Sequence, residues 1–145
     1  MDLASIVKIL NLKVYSGMDK LNRSILGGYT GDLLSDVMAN SQEGDIWVTR
    51  QVNQNIVAVA SLKDHAGIIL VHGAEPAKDT LDKAIKENIP LMVSEQAGFE
   101  VVGQIYTLIK GGGEQRGHRP LRTMGILVFF LIFFQDTNHA QGVSL

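Results

Sequence analysis

Three glycines stand directly before an aspartate-led apolar stretch, in the string Gly27-Gly28-Tyr29-Thr30-Gly31-Asp32. Glycines in front of a helix often bind phosphate, because their backbone amides approach an anion closely. A phosphate loop needs G-x-x-x-x-G-K-[ST], and a dinucleotide loop needs G-x-G-x-x-G after a strand, and the chain contains neither string. We therefore interpret Gly27, Gly28 and Gly31 as a turn with positive φ angles or close backbone approach. Asp32 is then predicted to cap the next helix.

Other groups with catalytic or metal-binding chemistry are sparse. Asp32 and Asp36 lie four residues apart, so they could form a carboxylate pair for magnesium, but we favour one as a cap and the other as solvated. The four histidines lack the spacing of a zinc site, and no serine lies in a G-x-S-x-G string. The absence of cysteine excludes thiolate chemistry. We predict no catalytic residue, no metal and no cofactor.

Polar side chains follow three short apolar runs at 45–49, 67–71 and 90–94. These polar residues are Thr49, Arg50, Gln51, Asn53, His72 and Ser94. In open α/β sheets, ligands bind outside the carboxyl ends of the strands, near helix N-termini. We predict that the six residues bind a small anion or a nucleotide, with Arg50 as the anion contact. The alternative is that Asn53 caps a helix, Ser94 begins a turn and Arg50 is solvated.

The elements that must position these side chains follow a regular alternation. The three runs start roughly 22 residues apart, which is the spacing of strand–helix units. Helices are predicted at 3–10, 54–63, 77–88 and 97–110, and a further extended stretch at 13–15. The runs are apolar almost throughout, as in strands covered on both faces. The pattern predicts an α/β fold: a single compact domain with a short, mostly parallel sheet flanked by helices.

The segment 56–62, IVAVASL, has no polar face. Such a helix is expected to be buried on nearly all sides. The sheet can supply part of this burial and a second subunit can supply the rest. We therefore predict a homodimer, although the core of one subunit could also account for the pattern.

Composition limits the class of protein. The chain has 145 residues, 46% of them hydrophobic and 19% charged, which suits one globular domain. A net charge of -2 offers no basic field for nucleic acid phosphates, so we predict no nucleic acid partner. The N-terminus lacks the basic region and apolar block of a signal peptide, so we predict a cytoplasmic protein.

The regular pattern ends at the glycine run 111–113, and the composition then changes. The segment ILVFFLIFF at 126–134 holds four of the five phenylalanines in the chain. A membrane-spanning helix needs about 20 apolar residues, so we predict no membrane role. We expect the domain to cover 1–112 and the segment 113–145 to be a phenylalanine-rich tail outside it. Its alternative role is a sticky interaction segment.

Most of the chain resembles the DRTGG domain family. The resemblance rests on NRSILGGYTGDLLSDVMAN, on EGDIWVTRQVNQNIVAVASLKDHAGIILVHGAEP and on ENIPLMVSE. The name-giving string corresponds to Asn22-Arg23-Ser24-Ile25-Leu26-Gly27-Gly28, where the arginine and the paired glycines match and the aspartate and threonine do not. The likeness extends to about Lys110.

The resemblance implies a compact α/β domain similar to the non-catalytic N-terminal part of HPr kinase. Such domains occur beside CBS domains in regulated pyrophosphatases, and related domains dimerise. The family offers no catalytic residue to carry over. The resemblance thus favours a non-catalytic regulatory or interaction module, a homodimer that senses a small phosphorylated ligand or nucleotide or binds a protein partner. The alternatives are a subunit of a phosphotransfer enzyme and an accessory scaffold for an iron-only hydrogenase.

Overall fold

A five-stranded sheet organises the computed structural model of the chain, which describes residues 1–111. The strands are β1 (Lys13–Ser16), β2 (Gly27–Thr30), β3 (Asp45–Thr49), β4 (Gly67–Leu70) and β5 (Leu91–Val93). Their order in the sheet is β1-β5-β4-β3-β2. All neighbours are parallel except the pair of β1 and β5, which is antiparallel. The predictions for 113–145 lie outside the described residues.

Five helices cover the two faces of this sheet. They are α1 (Leu3–Ile9), α2 (Leu34–Asn40), α3 (Asn55–Leu62), α4 (Lys78–Glu87) and α5 (Gly98–Lys110). Helices α1 and α5 pack on one face, and α2, α3 and α4 pack on the other. The α/β fold class predicted from the sequence is confirmed: the described chain is a compact domain with a mostly parallel sheet between helices.

The buried strands explain why alternate residues reach different layers. In β4, Ile69 belongs to the core under α1 and α5, whereas Ile68 and Leu70 belong to the core under α2, α3 and α4. All three side chains are fully buried. Successive side chains of a strand point to opposite faces, so a central strand with both faces covered is apolar at nearly every position. This is why the three runs carried no polar alternation.

The glycine string does not form the turn that its composition predicted. Gly27 and Gly28 lie in β2, paired in parallel register with Asp45 and Ile46 of β3. Among the described glycines, positive φ angles occur at positions 17, 44 and 73 and not in this string. The prediction of a turn with positive φ was wrong, because pairing with β3 holds the glycines extended.

The capping role predicted for Asp32 was also wrong. Helix α2 starts at Leu34, and its N-cap residue, Leu33, makes no side-chain hydrogen bond to the helix. The Asp32 carboxylate instead accepts hydrogen bonds from Thr49 and from the backbone of Arg50, across the gap to β3. Local sequence could not reveal this, because the two donors come from a neighbouring strand.

Helix α3 is less enclosed than expected. Ile56, Val57, Val59 and Ala60 are buried in the core of the same chain. Leu62 is 72% exposed, so one strip of the helix faces outward. The core therefore accounts for most of the apolar pattern, and the homodimer stays a prediction.

Candidate functional site

A cavity of about 560 Å³ opens at the carboxyl ends of β2, β3 and β4. Its strand-end wall is formed by Thr30, Gly31, Asp32, Val48, Thr49, Arg50, Val71 and His72. Its other wall is one side of α5, formed by Gly98, Phe99, Val102, Gly103 and Tyr106. The volume falls in the range of about 300–1,000 Å³ that is typical of small-molecule sites.

Three of the six predicted ligand residues line this cavity. Thr49 is buried, and its Oγ1 donates to Asp32 Oδ1 over 2.8 Å. The backbone amide of Arg50 donates to the same carboxylate oxygen, also over 2.8 Å. Thr49 therefore positions Asp32, and only Arg50 and His72 keep side chains for a ligand.

The guanidinium of Arg50 has no partner among residues 1–111. Its side chain is exposed at the wall of the cavity, and Asp32, whose carboxylate accepts from the Arg50 backbone, lines the same wall. Asp32 Oδ2 likewise has no hydrogen-bond partner within that part of the chain. One cation and one carboxylate oxygen are thus both available to a molecule in the cavity.

His72 has an unusual backbone conformation for a side chain that lines a cavity. Its φ angle is +59°, in the left-handed region that residues with a Cβ rarely adopt. Two hydrogen bonds hold the segment, from His72 N to Gln96 O and from Gly73 N to Ser94 O, each 2.8 Å long. The loop after β5 therefore fixes the end of β4 in a conformation of higher energy, which occurs often at binding sites.

The other three predicted residues have structural roles away from the lining of this cavity. Ser94 is buried, and its Oγ accepts from Gln96 N at 3.1 Å. Asn53 Oδ1 accepts from Asn55 N, the first residue of α3, and Asn53 Nδ2 donates to Gln51. The contact of Ser94 matches its alternative interpretation as the start of a turn. Asn53 is not the cap of α3, because the N-cap residue is Gln54, which makes no side-chain cap hydrogen bond.

Asp36 is neither a solvated carboxylate nor half of a metal pair with Asp32. Tyr29 donates its hydroxyl to Asp36 Oδ2 at 2.5 Å, and Asn40 Nδ2 donates to Oδ1 at 2.8 Å. Burial, and next the hydrogen bond to Asp36, raise the pKa of Tyr29 well above its usual value. Within the described residues, no group of three or more histidine, aspartate or glutamate side chains is placed to bind a metal.

The α5 wall was missed by reasoning from the sequence. The sequence pattern of 97–110 predicts a helix but no ligand contact, although Phe99, Gly103 and Tyr106 lie on one side of that helix. Phe99 is 88% exposed and Tyr106 is 62% exposed. A glycine between two aromatic residues inside a helix was the signal that could have found this wall.

The comparisons with known proteins identify a shared fold. No family model matches the chain, and no curated protein matches it. Among solved structures, the chain is similar to the crystal structure of the CBS and DRTGG domains of the regulatory region of Clostridium perfringens pyrophosphatase, complexed with its activator, diadenosine tetraphosphate. The TM-score is 0.58 and the sequence identity 17%.

This match covers 72% of the present chain and 45% of the pyrophosphatase region, so the chain spans less than half of that structure. At this identity the likeness shows the fold alone. The present chain has a fold found in a regulatory region. In the part that the structure describes, no helix has the length and apolar character needed to cross a membrane.

Proposed function

We propose that this protein is a non-catalytic regulatory module that binds a small phosphorylated ligand in the cavity at the strand ends. The observation that carries the proposal is the guanidinium of Arg50 at the cavity wall, which has no partner within residues 1–111. Guanidinium groups bind phosphate through paired, charge-assisted hydrogen bonds. The similar pyrophosphatase structure is a regulatory region that was crystallised with a nucleotide activator, which supports this class of ligand.

A thermal-shift screen of the full chain with nucleotides, acyl phosphates and inorganic phosphate tests the proposal. A ligand that binds only the native state at a hundredfold excess over Kd stabilises it by about 2.7 kcal/mol. Arg50→Ala should remove this shift and leave the melting temperature of the free protein nearly unchanged. Lys86→Ala, which removes an exposed cation on α4, is the matched control and should keep the shift. Failure of the whole panel to raise the melting temperature would contradict the proposal.

We also propose that the chain is a DRTGG domain. The stretches NRSILGGYTGDLLSDVMAN and EGDIWVTRQVNQNIVAVASLKDHAGIILVHGAEP support this assignment, as does the structural neighbour that contains a DRTGG domain. An experimental structure of the chain should superpose on the DRTGG part of that region. A better superposition on a CBS domain would contradict it.

The homodimer is proposed on the α3–α4 side of the domain. Leu62 on α3 and Ile85 on α4 are 72% and 57% exposed, and these two helices pack together. Ligand binding would then regulate a partner by favouring one arrangement of the two subunits. Sedimentation of the full chain should give a dimer that Leu62→Glu dissociates, whereas Ile9→Glu on α1 should not. A monomeric wild-type chain would reject the dimer and leave the ligand site untouched.

A phosphotransfer enzyme is the alternative that this proposal replaces. Incubation of the full chain with labelled ATP should transfer no label to the protein. Label transfer that Asp32→Ala abolished would replace the regulatory proposal with an enzymatic one.

A further inference from the structure

The α5 wall of the cavity presents two aromatic rings to solvent. Phe99 and Tyr106 are seven residues apart, so they lie on the same side of the helix, about 10 Å apart along its axis. Their exposure beside a cavity is unusual for large aromatic side chains. Lys110 Nζ lies 5.8 Å from the centroid of the Tyr106 ring, so a cation already flanks this ring. Val102 and Gly103 occupy the surface between the two rings.

Gly103 is not required by the packing of the domain. Outside the backbone of α5 itself, a Cβ built at this position would meet no atom of residues 1–111 within 4 Å, and the φ angle of Gly103 is not positive. Glycine in the interior of a helix destabilises it relative to alanine. The fold of residues 1–111 therefore gives no reason for a glycine at this position. Because glycine has no side chain, it leaves an open gap on the cavity wall between Phe99 and Tyr106.

The opposite wall is not suited to a bare anion. Arg50 offers a cation, but the Asp32 carboxylate accepts a hydrogen bond from the Arg50 backbone and would repel a phosphate ion. A ligand that also carries hydroxyl or amino donors can satisfy Asp32 Oδ2 while its phosphate contacts Arg50. The cavity is also much larger than one phosphate requires.

We infer that the cavity binds a nucleoside phosphate, with the base between Phe99 and Tyr106 over Gly103 and the phosphate at Arg50. The inference rests on the proposed ligand site and specifies its ligand class. Aromatic side chains stack on any nucleobase, because every base has a flat π face. The base fits between Phe99 and Tyr106 because Gly103 places no side chain there. The sugar hydroxyls then face the strand-end wall, where Asp32 Oδ2 accepts a hydrogen bond.

Titration calorimetry of the full chain with AMP, GMP, UMP, ribose 5-phosphate and inorganic phosphate tests the inference. We expect at least one nucleotide to bind, and ribose 5-phosphate to bind at least about tenfold more weakly, because it lacks the base. Phe99→Ala and Gly103→Leu should each weaken nucleotide binding by about fivefold or more, since the first removes a stacking ring and the second fills the gap. Ile9→Ala, at an exposed apolar residue on α1, is the control and should bind as wild type.

The outcomes separate this inference from the proposed function. Binding of ribose 5-phosphate or phosphate as tightly as any nucleotide would overturn the role of the base and leave the phosphate site in place. Nucleotide binding that neither α5 variant weakens would place the base elsewhere and also overturn the inference. Absence of binding by all five probes would overturn this inference, whereas a stabilising acyl phosphate in the thermal-shift panel would still support the proposed function. Circular dichroism of each variant excludes misfolding as the cause of a loss.

Discussion

At the scale of single residues, the Asp32 carboxylate joins the ends of two strands. One oxygen accepts from the Thr49 hydroxyl and from the backbone of Arg50, each at 2.8 Å. These bonds shape the wall of the cavity and hold the Arg50 backbone in place. Their loss would leave a buried hydroxyl and a backbone amide to find other partners.

Asp32→Ala should lower the free energy of unfolding by about 1–2 kcal/mol, because it removes a charged acceptor shared by two donors. Asp32→Asn retains an acceptor oxygen and should lose less. Urea denaturation followed by Trp47 fluorescence measures both. Asp82→Ala on the exposed side of α4 is the control, and an equal loss in that variant would contradict the role of Asp32.

His65 is a buried histidine with one unsatisfied nitrogen. Ser41 donates its hydroxyl to Val37 O, so His65 Nε2 must donate to Ser41. The neutral ring then has no proton on Nδ1, and this atom has no hydrogen-bond partner within residues 1–111. Burial lowers the pKa of His65 from 6.5 to about 4, and the nearby Asp45 carboxylate opposes this shift only in part.

The unfolded chain therefore takes up a proton at His65 below pH 6.5, and the folded chain does so only near pH 4. The stability that the neutral ring contributes is fully present above pH 6.5 and is lost as the pH falls towards 4. Between pH 7 and pH 5 we expect a loss on the order of 1–2 kcal/mol from this residue. Urea titrations at both pH values should show a smaller loss for His65→Gln than for wild type. An unchanged pH dependence in His65→Gln would reject this role of His65.

At the scale of elements, two glycines have opposite effects on stability. Gly17 has a φ angle of +74°, and a Cβ there would lie 2.5 Å from the backbone nitrogen of Pro90. Gly103 in α5 has neither constraint. Gly17 is required by the connection after β1, whereas Gly103 makes α5 less stable than alanine would.

Gly103→Ala should raise the free energy of unfolding by about 0.5–1 kcal/mol, because alanine loses less backbone entropy in a helix. Gly17→Ala should lower it by more than about 1 kcal/mol, since the new Cβ meets backbone atoms in a strained conformation. Urea midpoints of the two variants give the comparison. A destabilised Gly103→Ala would show that the helix uses glycine for its own packing.

At the scale of the whole molecule, the sheet lies between two helix layers and contributes side chains to the apolar core on each of its faces. Ile69 packs under α1 and α5, and Ile68 packs under α2, α3 and α4, although the two residues are neighbours in β4. Both are fully buried. Loss of either side chain should therefore destabilise the same cooperative unit.

Ile68→Ala and Ile69→Ala should each lower the free energy of unfolding by about 2–5 kcal/mol, because each leaves a cavity in a packed layer. Far-ultraviolet circular dichroism and Trp47 fluorescence should give coincident urea transitions for both variants. Ile9→Ala, which is 56% exposed on α1, is the control with little expected loss. Separate transitions by the two probes would show that the layers unfold independently.

The sequence by itself determined the order and type of the later elements. The helices predicted at 54–63, 77–88 and 97–110 were found at Asn55–Leu62, Lys78–Glu87 and Gly98–Lys110. The three apolar runs became β3, β4 and β5. Such agreement is expected, because apolar periodicity and strand–helix spacing are local properties of the chain. The same pattern predicted that polar residues follow the carboxyl ends of these three strands.

Only the tertiary structure decided which of those polar residues meet. Asp32 and Thr49 are 17 residues apart, and their contact depends on the register of β2 beside β3. Phe99 and Tyr106 become a cavity wall only because α5 packs across the strand ends. The extended glycines of β2 depend on the same pairing. Register and helix placement come from burial of the whole core, so no local pattern encodes them.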